Sequence, residues 1–140
     1  MSYLLDSHVV SELRKRERAD AGVRQWFAGA DDSELFLSVL TVGELRRGME
    51  SIHRRDRARA LVLNRWFHAQ VTQYEARILL VDQRVAEEWG RMNALATLPA
   101  VDSLLAATRS RPWSDLRDAQ HEGRCANRRA GPQSVSTMTC

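Results

Sequence analysis

The sequence predicts an α/β fold built around a parallel sheet. Three short apolar runs, at residues 3–5, 35–40 and 78–81, stand apart from intervening segments that have helical periodicity. Runs of this length without polar alternation are typical of interior strands that are buried on both faces. Strands that alternate with helices indicate parallel pairing with right-handed crossovers. We therefore expect the order strand, helices, strand, helices, strand, helix, helix.

The first apolar run stops at a carboxylate. Asp6 follows Tyr3-Leu4-Leu5 directly and precedes Ser7, a residue type that caps helices. In open α/β sheets, ligands bind outside the carboxyl ends of the strands. Asp6 is therefore the first candidate for a functional side chain, and later acidic residues matter to function according to whether they reach it. Ser7 begins a first predicted helix, in which Val9, Val10 and Leu13 have helical spacing, and a second, short helix is predicted over residues 21–28.

The second run, residues 35–40, changes into a helix near Thr41. Glu44 follows three residues later, which is the spacing of a capping box. In that motif the glutamate returns a hydrogen bond to the cap residue. The spacing alone favours this structural role for Glu44 over metal binding or catalysis, but it leaves both open.

The second half of the chain contains three predicted helices. The first is long and amphipathic and covers residues 54–75. The third apolar run ends at Asp82, which we interpret as the N-cap of a helix over residues 83–96. Pro99 suits either a loop or the start of the last helix. Asp102 lies in its first turn, where the helix dipole favours a carboxylate even without a catalytic role. The apolar face of the long helix is supplied by Leu61, Leu63, Trp66, Phe67 and Val71.

Composition argues against several classes of protein. No apolar run approaches the roughly 20 residues of a membrane span, and no signal peptide opens the chain, so a cytoplasmic location is expected. The two cysteines, Cys125 and Cys140, lack metal-type spacing. There is no Ser-His-Asp or Cys-His arrangement, no glycine-rich phosphate loop, and no ligand spacing among the four histidines. Nucleophilic catalysis and nucleotide binding by a P-loop are therefore disfavoured.

Three carboxylates, Asp6, Glu44 and Asp102, lie where predicted elements begin or end. Carboxylates that share one cleft repel one another unless a cation is present. Hard oxygen ligands with open positions suit Mg²⁺ or Mn²⁺. Such an ion polarises a phosphoryl oxygen and activates a bound water. If these residues converge, the natural reaction class is phosphodiester hydrolysis, although the residues alone leave the convergence open.

Three segments in fixed order carry a family resemblance. They are YLLDSHVVSEL at residues 3–13, LSVLTVGELRRG at residues 37–48 and VDSLLAAT at residues 101–108. Each resembles a motif of PIN-domain proteins, specifically of VapC-type toxins of bacterial type II toxin–antitoxin pairs. The likeness covers about residues 2–108, with the three motifs in the family's order and spacing.

The resemblance implies both a fold and an activity. The fold is a PIN-like three-layer α/β/α arrangement with a central parallel sheet. The activity is that of an endoribonuclease dependent on Mg²⁺ or Mn²⁺, forming a homodimer away from any membrane and held inactive by a cognate VapB-like antitoxin. The resemblance also changes the expected role of Glu44 from a cap to a metal ligand. It implies that the metal-binding and catalytic acids are Asp6, Glu44 and Asp102, supported by Ser7 and Thr41.

The resemblance ends after Thr108. The family continues with a buried strand, a Thr-Arg-Asn segment that carries a fourth acidic position, and a final Asn-Pro-Phe segment. This chain continues instead with a polar tail that has no apolar periodicity. We therefore expect an incomplete PIN-like domain over residues 1–108, without its C-terminal strands, and an aberrant, disordered tail over residues 109–140. His8 is a second departure, because the family usually has asparagine there.

The genetic code suggests the origin of the tail. Residues 109–120 can be back-translated and read one nucleotide later as Ala-Arg-Ala-His-Gly-Leu-Thr-Phe-Val-Thr-Arg-Asn, which is the missing strand and motif. Residues 133–138 can be shifted likewise to Asn-Pro-Phe-Gln-Arg and a stop. We hypothesise one extra nucleotide near the codon of Thr108. A gene sequence without a one-base insertion relative to intact relatives would refute this.

Loss of that strand and of the fourth acid predicts low or no ribonuclease activity and poor solubility, because it leaves an apolar sheet edge unpaired. Two other functions stay open. One is an inactive PIN fold that captures an antitoxin without cleaving RNA. The other is nucleic-acid binding by the tail, whose six arginines against three acids hold the whole charge excess of +3.

Overall fold

A three-stranded parallel sheet lies at the centre of the computed structural model, which describes residues 2–96, 98–112 and 114. Its strands are β1 (Tyr3–Leu5), β2 (Leu35–Ser38) and β3 (Ile78–Leu79), in the order β1-β2-β3. Tyr3 pairs with Leu35, and Leu37 pairs with Ile78. The prediction of an α/β fold with a parallel sheet is confirmed.

Within the residues that the structure describes, six α-helices connect and follow the strands in the expected order. Two of them lie between β1 and β2, two between β2 and β3, and two after β3. Short 3₁₀ turns at Arg16–Arg18, Asp32–Glu34 and Glu75–Arg77 complete the connections. The helices are α1 (Ser7–Leu13), α2 (Ala21–Gly29), α3 (Val39–His53), α4 (Arg57–Tyr74), α5 (Gln83–Leu95) and α6 (Ala100–Arg109).

Aspartate and serine side chains begin most of these helices. Each accepts a hydrogen bond from a backbone N–H of the first turn, which satisfies a donor that the helix itself leaves unpaired. Because this signal is local, the starts of α1, α2 and α5 follow from the sequence. The capping residues are Asp6, Asp20, Ser38, Asp56 and Asp82.

The two faces of the sheet bury different side chains, as alternation along a strand requires. Leu5 and Leu37 belong to a large apolar cluster that includes Val10 of α1, Leu45 of α3 and Phe67 of α4. Leu4, Phe36 and Leu79 form a smaller cluster with one another. The strands are therefore apolar on both sides, as the expected three-layer arrangement requires, and α1, α3 and α4 pack on the face that carries Leu5 and Leu37.

The start of α3 differs from the prediction. Residues 39 and 40 belong to the helix rather than to the second strand, and Ser38 is the N-cap, with its Oγ accepting from the N–H of Leu40 at 3.1 Å. The capping box of Thr41 and Glu44 is therefore wrong. Thr41 lies inside the first turn of α3 and is fully buried, so its hydroxyl is used elsewhere.

Two further boundaries are corrected. The predicted helix over residues 54–75 begins only at Arg57, because the Asp56 carboxylate accepts from the N–H of Arg59 at 2.9 Å. Leu61, predicted on the apolar face of that helix, is 65% exposed. The other members of that face are buried or half-buried. Asp6, rather than Ser7, is the cap of α1.

None of the helices in the described part of the chain is long and apolar enough to cross a membrane. The predicted tail, residues 109–140, lies largely outside the described residues. Within them, α6 continues to Arg109, and Arg111 is buried.

Candidate active site

Asp6 stands at the carboxyl end of β1 and begins α1. One of its carboxylate oxygens, Oδ1, accepts a hydrogen bond from the N–H of Val9 at 2.7 Å. The side chain is exposed. Local structure therefore fixes one oxygen of Asp6 and leaves the other turned to its surroundings, which suits a carboxylate that serves a second purpose beyond capping.

Glu44 is brought to the same end of β1 by a contact that spans the chain. The buried hydroxyl of Thr41 donates to the carbonyl oxygen of Leu5 at 3.2 Å, so the first turn of α3 is tied to the last residue of β1. Glu44 follows one turn later on α3 and is half-buried. Thr41 is thus a positioning residue between the two acidic positions.

Asp102 lies in the first turn of α6 and is exposed. The indole Nε1 of Trp89, on α5, donates to the Oγ of Ser103 at 2.9 Å. Ser103 is buried and its hydroxyl donates back to the carbonyl oxygen of Pro99 at 2.8 Å. The start of α6 is therefore held against α5, and Asp102 faces away from this contact into solvent.

All three acidic residues line one cavity of about 230 Å³, which we call the acidic cavity. The side chains of Glu44 and Asp102 make no hydrogen bond or ion pair with any other residue that the structure describes, and the side chain of Asp6 makes only its hydrogen bond with Val9. The cavity is lined by Leu4, Leu5, Asp6, Ser7, His8, Glu44, Asp102, Leu105, Ala106 and Arg109.

The acidic cavity contains oxygen atoms that suit a hard cation, but these atoms are not arranged around a single ion. Carboxylate oxygens without other partners suit Mg²⁺ or Mn²⁺. Among the described residues, however, no group of three or more His, Cys, Asp or Glu side chains is placed to hold a metal ion. The donor chemistry therefore fits, and the three carboxylates would have to turn towards one another to share an ion. Their convergence on one metal stays a prediction.

Three further side chains border the carboxylates. Ser7 and His8, at the start of α1, line the acidic cavity, so the predicted supporting position of Ser7 and the unusual His8 both lie at the site. Arg109, in the last turn of α6, also lines it. Sequence reasoning assigned Arg109 to the tail, because the family resemblance ends after Thr108.

Asp82, which follows β3, does not line the acidic cavity. Its Oδ1 accepts from the N–H of Val85 at 2.9 Å, which confirms its predicted role as the cap of α5. Arg111 donates to both of its carboxylate oxygens, at 2.9 and 2.7 Å. Burial raises the pKa of Asp82, but the hydrogen bonds from Val85 and Arg111 outweigh burial and leave that pKa below its ordinary value.

The comparison that decides the family covers most of the described fold. Residues 3–109 match the family model described as the PIN domain. The chain belongs to the PIN-domain family. The match spans all three strands, all six helices and every residue of the acidic cavity, so the family extends over the whole site.

A similar protein indicates which type of PIN-domain protein this chain resembles. Ribonuclease VapC14 of Mycobacterium tuberculosis (strain CDC 1551 / Oshkosh) is 37% identical over 71 residues, which are 51% of this chain and 68% of that protein. This match confirms the VapC-type resemblance that the three sequence motifs carry.

Two solved structures share the fold. A crystal structure of FitAcB from Neisseria gonorrhoeae is 26% identical with a TM-score of 0.65, over 85% of this chain and 81% of that one. A structure of FitAB bound to an IR36 DNA fragment is 23% identical with a TM-score of 0.66, over 84% and 90%. The second likeness concerns the fold alone.

Proposed function

We propose that this PIN domain is the toxin component of a type II toxin–antitoxin pair and hydrolyses RNA phosphodiester bonds in the cytoplasm. The observation that carries the proposal is the acidic cavity, in which Asp6, Glu44 and Asp102 arrive from three separate elements. Similarity to a protein named as a ribonuclease supports the same reaction class. Without that cavity, family membership alone would not assign an activity, since one fold hosts many functions.

Mg²⁺ or Mn²⁺ is the cofactor of the proposal, and Asp6, Glu44 and Asp102 are its ligands and the catalytic acids. When bound, such an ion would polarise a phosphoryl oxygen of the RNA and lower the pKa of a water molecule. The carboxylates of Glu44 and Asp102 are available to it because neither is engaged with another described residue. Asp6 contributes the oxygen that its cap does not use.

The residues around the acids hold and orient them. Thr41 fixes the distance between α3 and the end of β1 through its bond to the carbonyl of Leu5. The hydrogen bond from the N–H of Val9 restrains the side chain of Asp6. Metal binding therefore has to remove less conformational freedom from this carboxylate. Arg109 brings a positive charge beside the site, where it suits a phosphate of the RNA strand.

Low activity is part of the proposal. The Thr-Arg-Asn segment that carries the family's fourth acidic position does not follow Thr108 in this sequence. The three acids present form no ready metal cluster among the described residues. Removing support around a metal ligand typically lowers metal affinity or activity by about 10- to 100-fold. We therefore expect slow cleavage that requires added metal.

The experiment is cleavage of a mixed RNA substrate by the purified chain in Mg²⁺, in Mn²⁺ and in EDTA. We expect slow cleavage with either metal and none in EDTA. The variants Glu44→Gln and Asp102→Asn should each abolish it, because each removes a ligand charge with little change in shape. Glu50→Gln, on the same helix as Glu44 but exposed and paired with Arg46, is the matched control and should cleave normally. Cleavage in EDTA, or cleavage that survives Glu44→Gln, would contradict the proposal.

The proposed partners are a cognate VapB-like antitoxin and a second copy of the chain. Structures of FitAcB and of FitAB are among those similar to this chain, which supports a partner protein. A second candidate function is antitoxin capture without RNA cleavage. The lack of a ready metal cluster among the described residues favours it. Co-purification of the chain with the antitoxin encoded beside it, together with no metal-dependent cleavage, would select this second function.

A further inference from the structure

Positive charge is concentrated where α3 ends and α4 begins. Residues 46–59 contain six arginines against Glu50 and Asp56, which gives this segment a net charge of +4. Residues 1–108 contain equal numbers of basic and acidic side chains, so the rest of that region has a net charge of −4. Arginines that cluster along a helix and the turn after it are typical of a surface that binds a polyanion.

Five of the six arginines lack a partner among the described residues. Arg46 is the exception, because it donates to Asn64 at 3.3 Å and pairs with Glu50 at 2.6 Å. The other five are exposed, and their side chains form no hydrogen bond or ion pair with a residue that the structure describes. We call these five the arginine strip, and its members are Arg47, Arg54, Arg55, Arg57 and Arg59.

Local structure explains only part of the arginine strip. Arg54 and Arg55 follow the last turn of α3, where the helix dipole favours a cation. Arg57 and Arg59 lie in the first turn of α4, where the dipole of that helix disfavours one. The first turn of α4 contains no acidic residue of its own. Cations in an unfavourable position are explained if an anionic ligand covers them.

The arginine strip starts beside the acidic cavity. Glu44 lies on α3 where this helix borders the cavity. Arg47, Ser51 and Arg54 follow it at intervals of three, four and three residues, so all four share one face of α3. Arg54 is the C-cap and keeps a helical backbone conformation, which extends this face to the end of the helix. At 1.5 Å per residue, Arg54 lies about 15 Å from Glu44 along the axis of α3.

We propose that the arginine strip binds the phosphate backbone of the RNA substrate beyond the bond that is cleaved. This inference rests on the proposed function and defines its substrate class as RNA that reaches from the acidic cavity to the turn between α3 and α4. A guanidinium group can donate two parallel hydrogen bonds to one phosphate. Phosphate contacts position a nucleic acid without reading its sequence. The strip therefore favours long RNA over short RNA, irrespective of sequence.

An acidic protein segment is the alternative ligand, and it fits the arginine strip less well. Between Glu44 and Arg54, the shared face of α3 carries Arg47, Gly48 and Ser51 and no large apolar side chain. Protein interfaces usually have an apolar centre that is depleted of charge. RNA already has to enter the acidic cavity in the proposed function, so the strip continues the path that the substrate takes.

The test is the binding of fluorescent oligouridine to the full chain in EDTA, measured by fluorescence anisotropy over a series of salt concentrations. We expect an oligomer of about 20 nucleotides to bind at least about tenfold more tightly than one of about four. The logarithm of the association constant should fall by about 0.7 per tenfold increase in salt for each phosphate that is contacted. Metal-dependent cleavage is measured separately, so loss of the proposed function and loss of the strip give different results.

Paired variants of the chain locate the site. Arg47→Gln combined with Arg54→Gln should weaken binding of the long oligomer at least about tenfold and reduce the salt slope by about 1.4. Arg24→Gln combined with Arg65→Gln is the matched control. It removes the same charge from two exposed arginines outside the strip that also lack a described partner, and it should weaken binding less than about threefold.

Arg57→Gln gives an independent readout. It should weaken binding of the long oligomer by about threefold or more and also raise the unfolding temperature, because it removes a cation that the dipole of α4 disfavours. Equal binding of long and short oligomers, equal loss in the two double variants, or unchanged binding by Arg57→Gln would overturn the proposal. Displacement of RNA by polyglutamate as readily as by unlabelled oligouridine would overturn it in favour of an acidic protein. If the double variant does not fold, Arg57→Gln decides.

Discussion

Asp6 and Asp82 are the two carboxylates that follow the outer strands of the sheet, and they do the same thing locally. Each begins a helix by accepting a backbone N–H, from Val9 at 2.7 Å and from Val85 at 2.9 Å. They differ in the groups that surround their carboxylate oxygens. Asp82 is bound at both oxygens by Arg111, whereas Asp6 forms no ion pair with a described residue and borders the acidic cavity.

The comparison separates a structural carboxylate from one that is available for chemistry. A cap satisfies one oxygen and leaves the other to the tertiary structure. At Asp82 the second oxygen stabilises the fold through a partly buried ion pair, in which the side chain of Arg111 is only 8% exposed. At Asp6 it stays open beside Glu44 and Asp102. Capping is therefore no evidence against function.

The largest expected difference is in metal binding. Asp6→Asn keeps a good N-cap but removes the charge, so Mn²⁺ affinity should fall at least about tenfold. Asp82→Asn makes the same chemical change away from the acidic cavity and should leave Mn²⁺ affinity unchanged. Titration of Mn²⁺ followed by electron paramagnetic resonance measures both. Equal loss in the two variants would remove the proposed distinction between these aspartates.

The free energy of unfolding, unlike Mn²⁺ affinity, should depend on the ion pair of Asp82 with Arg111. Arg111→Ala leaves the carboxylate of Asp82 without its ion-pair donor and should lower the free energy of unfolding by about 1–3 kcal/mol. Arg65→Ala removes an exposed arginine that has no ion pair with a described residue. It should change the free energy by less than about 0.5 kcal/mol. Urea unfolding monitored by circular dichroism gives both values, and similar values for the two variants would show that the Arg111 pair contributes nothing.

Acid should erase the effect of Arg111→Ala. The pKa of Asp82 is lowered in the folded chain, and Arg111 is one of the causes. A lowered pKa contributes stability that is present above the unfolded pKa of about 3.9 and is lost as the pH falls through the folded pKa. The stability difference between wild type and Arg111→Ala should be constant from pH 5 to 8, by this principle, and should shrink below about pH 4. A difference that grows in acid would contradict this assignment.

The smallest expected effect concerns Thr41. Thr41→Val keeps the volume but removes the hydrogen bond to the carbonyl of Leu5, at a cost of about 1 kcal/mol. It should also weaken Mn²⁺ binding, since α3 is no longer tied to the end of β1. Thr108→Val is the matched control, because Thr108 is equally buried but its hydroxyl donates to Leu104 of its own helix. Thermal unfolding and Mn²⁺ titration of both variants test this, and weakened Mn²⁺ binding in Thr108→Val alone would refute the role of Thr41.

Most residues of the candidate site could be named from the sequence. Asp6, Glu44 and Asp102 were named from their positions at element ends and from the family motifs, and the structure places all three on one cavity. Thr41 was named as a supporting residue but with the wrong local role, since a capping box and a buried helical threonine share the same residues and spacing. Ser38, the actual cap, was hidden inside an apolar run that resembled one uninterrupted strand.

The sequence by itself determined the α/β class, the order of the elements and most helix starts, because apolar periodicity and caps act within a few residues. Tertiary structure alone decided which carboxylate is paired and which is open. The deciding contacts join Thr41 to Leu5, 36 residues apart, and Arg111 to Asp82, 29 residues apart. Local pattern carries no information about such pairs, because they depend on how the chain folds back on itself.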